Sequence, residues 1–268
     1  MNVGILMVTF RRDFAFAEYS LRSVQKFAKG FGEKIIAVPA PDGDLFREMA
    51  GEFGFEVRTF DEWPDKGFVH HEAIICEADA WCPQSDAILH LDADCLFTEP
   101  VNASDYFVDG RPILYGQRFE SFVHYPNRYG WKRCVQEATG IDPEWETMCR
   151  HPAVHLRRTY ELTREAITAH TGRDWKDYIR SCRNSYPQGF AEFPTLGAVV
   201  ISKFPETYCL LEAFTDSPNS LFNPADIAVK DPSLNKLRAF WSVGGIEMIN
   251  DRHPDETARQ VMERILAQ

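Results

Sequence analysis

Ala87-Ile88-Leu89-His90-Leu91-Asp92-Ala93-Asp94-Cys95-Leu96-Phe97 is an apolar run that closes on two carboxylates one residue apart. Pro83-Gln84-Ser85-Asp86 precedes it, and a short hydrophobic run bounded by turn residues reads as a buried strand. Asp92 and Asp94 then stand at the carboxyl end of that strand, the edge at which open α/β sheets bind ligands. Residues i and i+2 of an extended chain point the same way, so both carboxylates can face one ion. The pattern predicts a divalent metal that in turn holds a diphosphate, with His90 turned into the core. The competing reading makes both aspartates turn or helix-cap residues after a strand.

Outward from this stretch, strands and helices alternate. Val3–Val8 reads as a first buried strand and Thr9-Phe10-Arg11-Arg12 as the loop after it. Asp13 is placed to cap a helix whose apolar positions Ala17, Leu21, Val24 and Ala28 recur at helical spacing. Lys34–Val38 is a second strand, running into the turn-rich Pro39-Ala40-Pro41-Asp42-Gly43-Asp44. Leu45–Gly51 suits a short helix and Phe55–Phe60 a third strand. Lys66 to His71 opens a helix with Ile74, Ile75, Ala78 and Trp81 on its apolar face, and Pro112–Gly116 is a strand. Such alternation predicts a parallel α/β sheet.

From Arg118 to about Ser185 the pattern turns helical and irregular, rich in aromatics and Arg. The spacing predicts a helix over 159–171, with Leu162, Ala166, Ile167 and His170 on one side. Leu196–Ile201 and Leu237–Val243 read as strands, and Asp255 as the cap of a last amphipathic helix bearing Ala258, Val261, Met262, Ile265 and Leu266 inward. The chain therefore reads as one domain over 1–268. Its N-terminal half is 1–117, a helical insertion covers 118–190, and C-terminal strands and a helix follow over 191–268.

The bulk properties set bounds. The 268 residues, 44% of them hydrophobic, suffice for one large domain. No apolar run approaches a membrane span. The first ten residues lack a basic flank and a cleavage site, so a strand rather than a signal peptide is expected there. Seven scattered Cys without a C-x-x-C pair predict a reduced, cytoplasmic chain (host cytoplasm for a phage-encoded one). The net charge of −11 is uneven: residues 111–183 carry 13 Lys/Arg against 9 Asp/Glu, whereas residues 1–110 carry 9 against 20. That balance argues against general nucleic-acid binding while leaving a basic middle that attracts anions. No G-x-G-x-x-G follows the first strand and no G-x-x-x-x-G-K-[ST] occurs anywhere, which removes the dinucleotide and P-loop classes. His71-Glu72 begins like H-E-x-x-H, but Ile75 stands at the fifth position. No G-x-S-x-G elbow is present.

Taken together, Val3–Arg12, Ala40–Asp44, Gly67–Trp81, His90–Asp94, Ile113–Gly116 and Ala191-Glu192-Phe193 resemble the glycosyltransferases of the GT-A fold. The resemblance implies a Rossmann-related, mostly parallel central sheet flanked by helices, with a helical acceptor-side insertion. It further implies transfer of a sugar from a nucleoside-diphosphate sugar, a UDP-sugar foremost, to an acceptor. In such enzymes the Asp-x-Asp holds Mn²⁺ or Mg²⁺ on the two phosphates, here Asp92 and Asp94 with the Ala93 backbone between them. By the same resemblance Thr9, Phe10 and Arg12 meet base and ribose, Asp42 meets the base, and Lys66 and His70 lie near ribose and phosphates. Arg12 also reads as a solvated arginine and Asp42 as a turn residue. Glu192 matches the carboxylate that takes the acceptor's proton, and also reads as a surface Glu. Family members often draw a third metal ligand from a C-terminal His. Phe240-Trp241-Ser242-Val243-Gly244-Gly245 resembles that region but holds no His, which leaves His253.

Trp131, Trp145, Trp175, Tyr125, Tyr129 and Tyr178 are candidates to stack on an acceptor, and Arg157, Arg158, Arg173, Lys176 and Arg180 to meet its phosphates. The acceptors considered are a saccharide, a lipid-linked sugar, a protein side chain or a hydroxylated base in DNA. Two other classes use similar parts: a sugar-nucleotide nucleotidyltransferase or pyrophosphorylase, and a non-catalytic sugar-nucleotide binder. The first usually carries a glycine-rich basic loop after strand one, which Thr9–Arg12 does not supply.

Overall fold

A computed structural model describes residues 1–122, 126–148, 152–185, 188–212, 239–241 and 256–268. At its centre are β1 (Val3–Val8), β2 (Lys34–Pro39), β3 (Glu56–Phe60) and β4 (Ala87–His90). Between them run α1 (Phe14–Phe27), α2 (Gly43–Glu52) and α3 (Gly67–Ile75), followed by a separate short helix, Ala78–Trp81. The four strands pair in parallel in the order β4-β1-β2-β3, with Leu6 opposite both Ile35 and His90. Chain order reverses between β1 and β4, so their carboxyl ends open a crevice of the kind that binds ligands in such sheets.

Every residue of β1 is buried because both sheet faces are covered. Ile5 and Met7 join Ile36, Val38 and Leu89 beneath Phe16, Leu21 and Val24 of α1 and Phe46 of α2. Leu6 and Val8 point the other way, onto Ile74 and Ile75 of α3 and onto Tyr160, Phe193 and Leu196. Period-two alternation thus splits one apolar strand between two cores. Asp13 does not cap α1 through its side chain. It ends a 3₁₀ turn, Arg11–Asp13, with φ −101° and ψ 8°, outside the extended geometry that capping needs.

Beyond β4 come β5 (Cys95–Phe97), β6 (Arg111–Arg118), α4 (Pro126–Thr139), β7 (Ala153–Leu156), α5 (Arg157–Thr171) and α6 (Trp175–Ser181). The region 118–190 is therefore not purely helical, since β7 adds to the central sheet antiparallel to β4. The buried face of α5 is Thr159, Tyr160, Thr163 and Ile167, rather than the one centred on Leu162, Ala166 and His170. Hydroxyls make that face possible: Thr163 Oγ1 donates to the Thr159 carbonyl within the helix (2.8 Å), so burial leaves no unpaired donor.

The largest departure is α7 (Glu192–Lys203), a helix where Leu196–Ile201 reads as a strand. Glu192 to Val200 are all buried. A helix covered on every side shows no 3.6-residue periodicity, and Leu-Gly-Ala-Val-Val-Ile then mimics a buried strand. After it, β8 (Cys209–Glu212) pairs in parallel with β6, and β9 (Ala239–Trp241) pairs antiparallel with β5, as the apolar run 237–243 leads one to expect. The closing helix α8 (Glu256–Ala267) buries Met262 and Ile265 against the α1 side of the sheet. None of the described helices is long and apolar enough to cross a membrane.

Candidate active site

Three loops at the carboxyl edge of the sheet and the first turn of α7 build the site. After β4, Leu91 N–H still donates to the Leu6 carbonyl (3.1 Å), which carries the strand alignment to the residue before the carboxylates. Cys95 N–H then donates to the Asp92 carbonyl (3.0 Å), closing a tight turn before β5. Asp92 is partly exposed, whereas Ala93, Asp94 and Cys95 are buried. One ligand atom from each of Asp92, Asp94 and Cys95 lies within 4.8 Å of the others. Two hard carboxylate oxygens beside a thiol fit a divalent cation of the Mn²⁺ or Mg²⁺ type after small side-chain adjustment, because ligands about 2.1 Å from one ion lie at most about 4.2 Å apart. Burial and the two aspartates push the Cys95 thiol well up, so it enters as a neutral neighbour. β9 lies directly against β5, with Trp241 opposite Cys95, which brings the C-terminal segment to this turn. His253 lies outside the described residues.

The loop after β1 stands beside the carboxylates. Thr9 N–H donates to the Ala37 carbonyl (3.0 Å), while its buried hydroxyl has no hydrogen-bond partner among the described residues. An unpaired buried hydroxyl is uncommon in a native structure and marks a place where a ligand polar atom fits. Phe10 packs edge-on to Phe60 at 6.2 Å, and the Arg12 guanidinium stands 5.6 Å from the Phe10 ring centre. Asp42, buried in the loop after β2, accepts the Arg11 N–H (3.0 Å) and so ties the first two loops together.

The other two candidates lie differently. Lys66 donates its ammonium to the Cys182 carbonyl (2.7 Å). The N-terminal amides of α3 are taken by Asn184, whose side-chain oxygen accepts from Phe68 (3.0 Å) and Val69 (3.2 Å). Residues 66–69 therefore anchor the 182–184 segment. His70 is buried, stacked on Trp63 at 4.3 Å, and accepts the Trp63 N–H on Nδ1 (3.2 Å). Burial first, then the cations Lys176 and Arg180, lowers its pKa from 6.5 to about 4.

Between the folded and unfolded values the unfolded chain binds the extra proton, so stability is lost as pH falls from about 6.5 to about 4. The shift corresponds to roughly 3 kcal/mol. Urea melts at a series of pH values should show this loss, and His70→Phe, which keeps a ring against Trp63, should flatten that part of the slope.

Three neighbours were not singled out by residue pattern. Cys95 is one. His71 donates a ring N–H to the Val8 carbonyl and lies in the field of Asp92, while burial lowers its pKa overall. Glu72, one residue on, is buried and hydrogen-bonded to the equally buried Glu192 at the start of α7. Burial raises Glu192 to about 7; its own backbone amide and the Glu72 hydrogen bond oppose the rise, and the Asp92 charge adds to it. Glu72 is driven up by burial and by Glu192. A signal for Glu72 was present: a lone carboxylate inside Val69–Ile75, a helical stretch whose other residues are apolar or histidine.

His90 is in the core as expected, with its ring Nε2 2.7 Å from the Tyr160 hydroxyl. The acceptor-side residues are largely committed. Trp131 is buried, Lys176 pairs with Glu77 (2.7 Å), and Arg157 donates to the Asp79 (2.7 Å) and Cys82 (2.9 Å) carbonyls. Arg173 donates to Ser181 (3.0 Å), Arg180 stands over Trp63, and Trp145 lies under Arg118. Tyr129 is exposed, and Tyr125 lies outside the described residues.

The profile of a family described as "Family of unknown function (DUF6492)" matches residues 20–203. No curated protein matches the chain significantly. Among solved structures, the crystal structure of mouse xyloside xylosyltransferase 1 in its apo form is similar at 12% sequence identity. That match covers 95% of this chain and 100% of that one, with a TM-score of 0.48.

Proposed function

We propose that this chain, which belongs to the DUF6492 family by the match over residues 20–203, is a metal-dependent glycosyltransferase of the GT-A type acting on a nucleoside-diphosphate sugar. One observation carries the reading: Asp92 and Asp94 converge at the carboxyl end of β4, in the crevice where strand order reverses. The sequence has no glycine-rich phosphate cradle, so a cation is the means left for holding a diphosphate.

Asp92 and Asp94 would hold Mn²⁺ or Mg²⁺, with His253 a further candidate ligand. When bound, such an ion stabilises the negative charge that grows on the departing diphosphate. The remaining work belongs to the chain. Thr9, Phe10, Arg12 and Asp42 line the base and ribose side, with the unpaired Thr9 hydroxyl ready for a ligand atom. The Ala93 backbone passes beside the phosphates. Lys66 and His70 support this wall from behind, a structural share in donor binding. Glu192, within the field of Asp92, takes the proton of the acceptor hydroxyl. The bond from the anomeric carbon to the diphosphate oxygen breaks with its electron pair leaving on that oxygen, and a bond to the acceptor oxygen forms. A saccharide or a hydroxylated DNA base is the acceptor in this reading, and the cytoplasm its setting.

A screen of UDP-, GDP- and other sugar nucleotides with Mn²⁺ tests it. Slow release of nucleoside diphosphate is the expected result. Dependence on pyrophosphate would instead indicate a nucleotidyltransferase, and saturable binding without turnover a sugar-nucleotide binder. For a DNA acceptor, binding to duplex should weaken steeply with added salt.

A further inference from the structure

We propose that Glu72 is a positioning residue for Glu192: it carries the one proton of a buried carboxyl pair and donates it in a hydrogen bond that holds Glu192 ionised and in place for the acceptor hydroxyl. The reaction assigned to Glu192 rests on the glycosyltransferase reading; the pair itself does not.

The geometry comes from two helices. Glu72 projects from the middle of α3 and Glu192 opens α7, and the two side chains are 3% and 4% exposed. Their carboxyls are in hydrogen-bond contact, and Glu192 has a further donor in its own backbone amide. The other Glu72 oxygen, Oε2, has no partner among the described residues. Two carboxylates at this separation and burial do not both ionise, since each disfavours the other's charge and water is too scarce to screen it.

The groups acting most strongly on the pair include no cation. Asp92 acts on Glu192 from the loop after β4, and Cys134 of α4 and Cys182 after α6 act on Glu72. Cys76, just past α3, feels both carboxyls. On α5, Arg164 is engaged by Asp79 (2.6 Å) and by the Cys76 carbonyl (2.9 Å). On the Trp145–Glu146 strand, Glu146 accepts the Met148 N–H (2.5 Å). His70 and His71 flank Glu72 in sequence, but His70 faces Trp63 and His71 faces Val8. One proton between the two carboxyls is thus what balances the pair.

This arrangement has a consequence for turnover. Glu192 receives the acceptor's proton while Glu72 keeps its own, so the pair passes from one proton to two and returns one to solvent as product leaves. Glu192 can act as acceptor only because Glu72 does not compete for that proton.

Infrared spectra of the full chain in deuterated buffer at about pH 9, where Glu192, raised to about 7, is ionised, test the pair without relying on activity. The carbonyl stretch of a protonated carboxyl should be present in the wild type, lost in Glu72→Gln and retained, though shifted, in Glu192→Gln. Its absence from the wild type, or its persistence in Glu72→Gln, would overturn the proposal. Where turnover is measurable, Glu72→Gln keeps a weaker donor in place and should retain kcat within a few-fold, with the acid limb of its pH profile moved up, because the Glu72 hydrogen bond holds the Glu192 pKa down. Glu72→Leu removes the donor and should lower kcat by about 10²-fold, with the donor KM unchanged. An unmoved acid limb in Glu72→Gln would leave Glu72 a packing residue and count against the proposal. The infrared pattern without any sugar transfer would reject the reaction assigned above and keep the pair; transfer without the infrared pattern would do the reverse.

Discussion

Asp92→Asn and Asp94→Asn are each expected to cut metal-dependent turnover of the sugar nucleotide by about 10³-fold, the scale of losing one preorganised electrostatic contact to a charge that develops in the transition state. The substitution keeps size and shape, so what it removes is charge. Neutral amide oxygens are poorer ligands for a hard cation than carboxylates. Asp92 is partly exposed and Asp94 is buried in the tight turn that Cys95 N–H closes on the Asp92 carbonyl. The turn is closed by a backbone hydrogen bond, so the partly exposed Asp92 variant should melt near the wild type. Calorimetric titration with Mn²⁺ should show the binding isotherm of the wild type and little in the variants. Full turnover, or unchanged Mn²⁺ binding, in either variant would remove the metal from this turn and with it the proposed function.

Glu192→Gln should lower transfer to an acceptor by about 10²- to 10⁴-fold, the range contributed by a positioned general base. It should leave the sugar nucleotide's affinity nearly unchanged, because Glu192 sits on α7 and not on the loops after β1 and β2. A base must be ionised to work. With Glu192 raised to about 7, wild-type turnover should fall as pH drops through about 7, and the variant's residual rate should lose that limb. Equal losses in donor binding and in turnover would mean that Glu192 supports the donor site instead.

Much of the fold was legible because its signals are local. β1, β2 and β4 are short apolar runs bounded by turn residues, and the helices between them carry their apolar positions at helical spacing. Other elements were not legible, α7 and β7 among them. α7 is buried on all sides from Glu192 to Val200, so these residues carry no periodicity to separate helix from strand. β7 is a four-residue strand whose place depends on an unpaired edge of β4 being free, a property of the sheet and not of Ala153–Leu156. At the site, Asp92 and Asp94 were readable because their spacing alone puts them on one side of an extended chain. Lys66 was assigned to the donor by its position in the chain, and the contact of its ammonium with the Cys182 carbonyl could be read only from the fold.

By itself, the sequence determined the alternation of strands and helices, the parallel arrangement that alternation favours, the lack of a glycine-rich phosphate loop and the paired aspartates at a strand end. Each depends on residues within one turn or one strand of each other, over which backbone geometry is set by covalent chemistry. Only the tertiary structure decided that Glu72 meets Glu192 across 120 positions of chain, that His71 lies in the field of Asp92, and that β9 lies along β5 beside the carboxylates. These contacts join elements whose approach depends on how two cores pack on opposite sides of one sheet. The charge state of Glu192 follows from that packing, because burial and the nearby carboxyls set it.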